Sequence, residues 1–221
     1  MVVAFDTHKL STWQTATWED YLAQRDRPYD ELNKQKIYFY QNRLALEMGA
    51  EGINHAKVSD LFTMLFFVLS MQSETPLYSL GRCLLEQPST KSSAAPDLIL
   101  YQGQTEPKWQ AGDRRYLNLD ECRIPALVGE ISDTTIIHDL DEKKHLYAAL
   151  GIPEYWVIDI QAQRVFLFVL NAEVGKYQAS EASTILAGLQ TSLLIAALKR
   201  LESEGNTQVA QWFSHQLNAT A

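Results

Sequence analysis

Cysteine is scarce: Cys83 and Cys122 are the two in 221 residues. They allow one bridge at most, which excludes a disulfide scaffold, and neither sits in a metal-ligand spacing. Both are expected as reduced thiols of a cytoplasmic protein. Long apolar runs are also missing. The most apolar stretch, residues 61–71, is about eleven residues long, whereas a membrane helix needs about 20. The start, Met1-Val-Val-Ala-Phe-Asp6, is too short and too acidic for a signal peptide. A soluble chain with no membrane partner is therefore expected. Bases are outnumbered by acids, 19 to 27, for a formal charge of −8. Arg114-Arg115, Lys143-Lys144 and Lys199-Arg200 are the adjacent basic pairs, and they form no basic stripe. A protein that holds nucleic acid by bulk positive charge is excluded. An enzyme that approaches phosphates through a metal ion is not.

Apolar residues, at 46%, suffice for a core without staples. The length suggests a single domain, with residues 1–52 as an N-terminal extension, 53–170 as the core and 171–221 as a C-terminal helical segment. The pattern predicts a short helix ending before Asp26-Arg27-Pro28. A hairpin is predicted around Gln41-Asn42, although residues 31–48 also fit a helix. A buried helix is expected from Asn54 to Met71, with Val58, Leu61, Phe62, Leu65, Val68 and Leu69 on one side. Residues 85–95 read as loop, and 102–124 as an irregular surface excursion. Strands are expected at 97–101, 126–132, 155–160 and 164–170. Helices are expected at 137–150, closed by Gly151 and Pro153, at 190–203, and as one turn at 208–215.

Two carboxylates stand in otherwise apolar strands: Asp97 in Pro96-Asp-Leu-Ile-Leu, and Glu130 in Leu127-Val-Gly-Glu-Ile. A carboxylate in a strand core is costly without a partner or a metal. On neighbouring strands the two converge on one hard cation, and their oxygens suit Mg²⁺ that keeps several waters. Asp139, Lys143 and Tyr147 follow at four-residue spacing on one helix face. From there Lys143 reaches toward the carboxylates, to orient a metal-bound water or to stabilise charge on a phosphate. The plain alternatives are a solvated strand cap for Asp97, an edge-strand carboxylate for Glu130, and a solvated helix face for the other three.

Pro96-Asp97, Glu130-Ile-Ser-Asp-Thr-Thr, Asp139-Leu-Asp-Glu-Lys143-Lys-His-Leu-Tyr147 and Gly151-Ile-Pro-Glu-Tyr-Trp-Val-Ile-Asp159 together resemble the Uma-two family of restriction-endonuclease-like proteins, in the PD-(D/E)XK nuclease superfamily. Weaker likeness extends to Thr12–Leu22, Gly52-Ile-Asn-His55 and Leu186-Ala-Gly-Leu189. The resemblance implies an α/β (α+β) fold, a central mixed β-sheet flanked by helices. It implies a Mg²⁺-dependent endonuclease, with Mn²⁺ as an alternative, that hydrolyses DNA and works as a homodimer. Asp97, Glu130 and the Ile131 carbonyl would hold the metal and Lys143 would be catalytic. His55, Ser132, Asp139 and Tyr147 would support them. The superfamily lysine position is occupied here by Ser132, and Lys143 replaces that lysine from the following helix, with Lys144 turned to solvent. His55 either contacts a phosphate or the acidic cluster, or bonds locally at its helix start. Tyr38 stands where the family carries an early glutamate, so Glu47 or Glu51 substitutes for it or that acid is absent. The rival reading is a non-catalytic binding or assembly module that keeps the fold.

Overall fold

The computed structural model describes residues 12–27, 35–48, 52–103, 106–108, 110–112, 116–186 and 188–220. Among them the strands are β1 (Gln14–Thr15), β2 (Gln35–Tyr40), β3 (Arg43–Met48), β4 (Leu77–Gly81), β5 (Leu84–Gln87), β6 (Ser92–Ala94), β7 (Leu98–Gln102), β8 (Tyr116–Asn118), β9 (Leu127–Ser132), β10 (Glu154–Asp159), β11 (Arg164–Asn171) and β12 (Lys176–Ser180). The helices are α1 (Trp18–Arg25), α2 (Ile53–Ser70), α3 (Ile136–Leu140), α4 (Glu142–Ala149), α5 (Thr191–Arg200) and α6 (Asn206–Thr220). None of these helices is long and apolar enough to cross a membrane. The chain forms two compact units, one from the described residues of 1–51, 83–95 and 107–122, the other from 52–82, 96–106 and 123–221.

The first unit is built on a mixed sheet ordered β1-β3-β2-β6-β5-β8. Its hairpin turns at Gln41 and Asn42, both at positive φ (48° and 56°), as the tight turn between twisted strands requires. Helix α1 starts with a capping box, Thr17 and Asp20 satisfying each other's amide groups. Residues 85–95, expected as loop, instead fold back as β5, a 3₁₀ turn at Pro88–Thr90 and β6. The turn signal lies between two short strands, and Ser92, Ser93 and Ala94 are small enough to be wholly buried. The surface excursion likewise contributes β8, parallel to β5. Within this unit Glu86 accepts from Tyr21 Oη at 2.5 Å and from Arg25 Nη1 at 2.8 and 2.7 Å. Cys83 and Cys122 are unbridged thiols, half-buried.

The second unit carries the mixed sheet β12-β11-β10-β9-β7-β4, in which β9 and β10 run parallel. Alternation sorts its side chains between two faces. Leu98, Leu100, Leu127, Ile131, Trp156, Ile158, Val165 and Leu167 join the apolar sides of α2, α5 and α6 in one core. The other face carries Tyr155, whose ring packs against that of Tyr147 of α4, tilted by 40° with 4.8 Å between centroids. Gly129 lies on the core face, where a Cβ would come within 3.2 Å of Leu98 Cδ1 and 3.6 Å of Ile158 Cδ1.

Two helices differ from expectation. The single helix at 137–150 is two, α3 and α4, parted at Asp141 (φ −120°, ψ −88°). The acids Asp141 and Glu142 favour a fresh N-terminus there through the helix dipole. The expected turn at 208–215 is the full helix α6, because Val209, Phe213 and Leu217 repeat every four residues against the core.

Candidate active site

Strands β7 and β9 pair antiparallel, with Leu98 opposite Gly129 and Leu100 opposite Leu127. Extending that register by one residue sets Asp97 level with Glu130, on the face away from the apolar core. Both carboxylates are buried, each 2% exposed. Asp97 Oδ2 accepts the Ile131 N–H at 2.9 Å, taking up a backbone donor where the ladder ends. The same oxygen lies 3.1 Å from His55 Nε2, supplied by the first turn of α2. His55 therefore meets an acid of the cluster. In a strand the N–H and C=O of one residue point to the same side, so the Ile131 carbonyl is also turned toward Asp97.

Helix α4 brings the cation. The Lys143 ammonium lies 2.8 Å from Asp139 Oδ1 and 3.6 Å from Glu130 Oε2, and the lysine is 1% exposed. Tyr147 Oη donates to Glu130 Oε1 at 2.5 Å. Burial first, and then the Glu130 charge, hold the Tyr147 hydroxyl well above its ordinary pKa, so it stays a donor. The four-residue spacing thus gathers Asp139, Lys143 and Tyr147 at Glu130. Lys144 does not point straight to solvent as expected: it is half-buried, with its ammonium 5.1 Å from the Phe168 ring centroid. A lysine stem covers apolar surface readily while its charge lies over the aromatic face.

Two residues of this cluster were not anticipated. Thr135 Oγ1 donates to Asp139 Oδ2 at 2.7 Å, and Tyr155 Oη to the Asp139 carbonyl at 2.9 Å. Thr135 falls within the Glu130–Thr135 motif, but its role depends on where α3 begins, and motif spacing does not give that. Ser132 is buried and lies 3.5 Å from Thr135 Oγ1, at the margin of the cluster. Tyr38 and Glu47 belong to the other unit. There the Tyr38 hydroxyl donates to the Ala95 carbonyl at 2.9 Å, and Glu47 is buried in β3. Glu51 lies outside the described residues.

The donor set can be tested against a metal. Among the described residues no three His, Cys, Asp or Glu side chains gather as a cage. Asp97, Glu130 and the Ile131 carbonyl are hard oxygen donors. Such a set fits a cation that keeps much of its water, as Mg²⁺ does, and does not fit a soft or fully caged ion.

The second unit is thus a mixed sheet with helices on both faces and two buried carboxylates on adjacent strands. The solved structure described as "Crystal structure of a putative nuclease belonging to DUF820", from Anabaena variabilis, shares this fold. Its TM-score is 0.54 at 14% identity, over 82% of this chain and 98% of that one. The chain belongs to the family described as "Uma2: Putative restriction endonuclease", which it matches over residues 18–202. Among curated proteins none matches.

Proposed function

We propose that the protein is a divalent-cation-dependent endonuclease that hydrolyses phosphodiester bonds in DNA, with Mg²⁺ as the cation and Mn²⁺ able to replace it. The observation that carries the reading is the burial of Asp97 and Glu130 on adjacent strands, with the buried Lys143 of α4 beside Glu130. The family's description, "Putative restriction endonuclease", supports DNA as the substrate.

In this reading Asp97, Glu130 and the Ile131 carbonyl hold the cation. When bound, it lowers the pKa of a water and screens phosphate oxygens. The remaining work falls to the chain. The Ile131 N–H and His55 fix the Asp97 carboxylate, and Tyr147 fixes that of Glu130. Lys143 presents an ammonium that orients the attacking water and stabilises the charge developing on the phosphate. A fixed charge in a water-poor site acts strongly on charge that appears only in the transition state. Asp139 holds that ammonium in place. A homodimer would let two sites cut both strands, and sedimentation velocity reads whether the chain dimerises.

Calorimetric titration with Mg²⁺ and Mn²⁺, run beside plasmid cleavage, tests the reading. Asp97→Ala and Glu130→Ala are expected to lose both cation binding and cleavage. Lys143→Ala is expected to lose cleavage and keep cation binding. No binding at millimolar cation would return the protein to the module reading. Cleavage that survives Glu130→Ala would assign the activity to another site.

A further inference from the structure

We infer that Thr135 is a positioning residue for Lys143, acting through Asp139; the inference deepens the reading above and rests on it for its catalytic consequence. Thr135 is the N-cap residue of α3, the place where a threonine hydroxyl ordinarily accepts an amide N–H of the first helical turn. Here the hydroxyl makes no such bond. It donates instead to Asp139 Oδ2 at 2.7 Å, while the Thr135 carbonyl takes the Asp139 N–H at 3.0 Å. A local rule of helix formation is set aside, and departures of that kind gather at functional sites.

The geometry says what the departure achieves. Asp139 is 0% exposed, so no bulk water competes for its oxygens. One oxygen, Oδ1, holds the Lys143 ammonium at 2.8 Å. The other is occupied by Thr135, and Tyr155 Oη anchors the Asp139 carbonyl at 2.9 Å. The carboxylate is therefore fixed in rotation and engages the ammonium through one oxygen. That arrangement leaves the Lys143 ammonium 3.6 Å from Glu130 Oε2, within reach of both acids. Without the threonine hydroxyl, both oxygens of Asp139 compete for the ammonium. The lysine then folds back onto Asp139 and away from Glu130.

The test uses the full chain as wild type, Thr135→Val, Thr135→Ser and Lys143→Ala, with three measurements. We expect Thr135→Val to slow cleavage roughly tenfold to hundredfold, the usual range for loss of an outer partner at such a site. KM and the calorimetric Mg²⁺ affinity should be unchanged. Thr135→Ser, which restores the hydroxyl, should recover the rate; a purely packing role of the threonine would not be rescued in this way. NMR of the lysine-labelled protein supplies a readout independent of activity. The buried ammonium signal that disappears in Lys143→Ala should exchange with solvent faster in Thr135→Val and normally in Thr135→Ser. Should Thr135→Val not fold, Thr135→Ala removes the hydroxyl without adding a methyl group and reads the same. If Lys143→Ala is inactive while Thr135→Val matches wild type in rate and ammonium exchange, the inference is overturned and the nuclease reading stands. If the wild type cleaves nothing but the ammonium signal still depends on the Thr135 hydroxyl, the nuclease reading falls and the positioning role stands. Loss of the signal in Thr135→Val and Thr135→Ser alike would overturn the role of the hydroxyl.

Discussion

Glu130 and Glu154 lie on adjacent parallel strands of one sheet, both buried, and face opposite ways. Glu154 turns to the apolar core side. There it accepts from Trp156 Nε1 at 2.7 Å, Ser183 Oγ at 2.7 Å, the Thr184 N–H at 2.8 Å and Thr184 Oγ1 at 3.0 Å. These partners are neutral dipoles; Trp156 belongs to the same strand, and the others tie residues 183–185 to the sheet. Glu130 is held by a tyrosine hydroxyl and faces a lysine that Asp139 holds more closely. A carboxylate surrounded by backbone and hydroxyl donors is built to stay as it is. One that shares a cation with a neighbour is set among charges that a ligand can rearrange. Burial alone does not separate the two; the chemistry of the partners does.

The comparison breaks if either glutamate behaves like the other. Glu154→Ala should have the largest effect, a loss of about 3–5 kcal/mol, because buried donors left unmatched cost about 1–3 kcal/mol each. Urea unfolding measures it, and cation binding by the folded protein should be retained. Glu130→Gln should show the reverse: cation binding and cleavage lost, stability within about 1 kcal/mol of wild type, since Lys143 keeps Asp139. Equal destabilisation by the two substitutions would erase the distinction.

Tyr147→Phe should cost about 1–2 kcal/mol as Glu130 loses its hydroxyl donor. It should also change the alkaline limb of stability. The hydroxyls of Tyr147 and Tyr177 are both held well above 10 in the folded protein, by burial first and by Glu130 and Glu154 respectively. A raised folded value contributes stability below the unfolded pKa of about 10, and that contribution is lost as pH rises from there toward the folded value. Unfolding curves between pH ~9 and ~11 should therefore fall more gently for Tyr147→Phe than for wild type. Smallest of all, Lys144→Ala should change stability by about 0.5 kcal/mol, through its contact with the Phe168 ring, and leave cleavage untouched. A large loss of cleavage there would exchange the roles of the two lysines.

What could be read in the sequence follows from how local each signal is. The strand around Glu130 announces itself because a charge in an apolar run stands out, but that it lies level with Asp97 needs the strand register, which the sequence alone does not give. Lys143 is legible because four-residue spacing survives any change in how the helix is docked. The break at Asp141 is not legible, since the residues of α3 and α4 carry one continuous helical pattern across it. The pairing of β5 with β6 and β8 is hidden for another reason: sheet membership joins segments far apart in sequence, and a proline-serine run looks the same in a loop and in a hairpin turn. The contact of Thr135 with Asp139 depends on the helix start and was invisible until that start was fixed.

Gly129 gives the site a calibration point on the far side of the sheet. It has no side chain, so Leu98 and Ile158 close over it at 3.2 and 3.6 Å from where a Cβ would stand. The neighbours of Leu98 and Gly129 along the chain are Asp97 and Glu130. How near β7 comes to β9 therefore sets the bite offered by the two carboxylates. The chemistry on one face is gauged by hydrocarbon on the other, and a methyl group added at Gly129 would require Leu98, the neighbour of Asp97, to give way by a few tenths of an ångström.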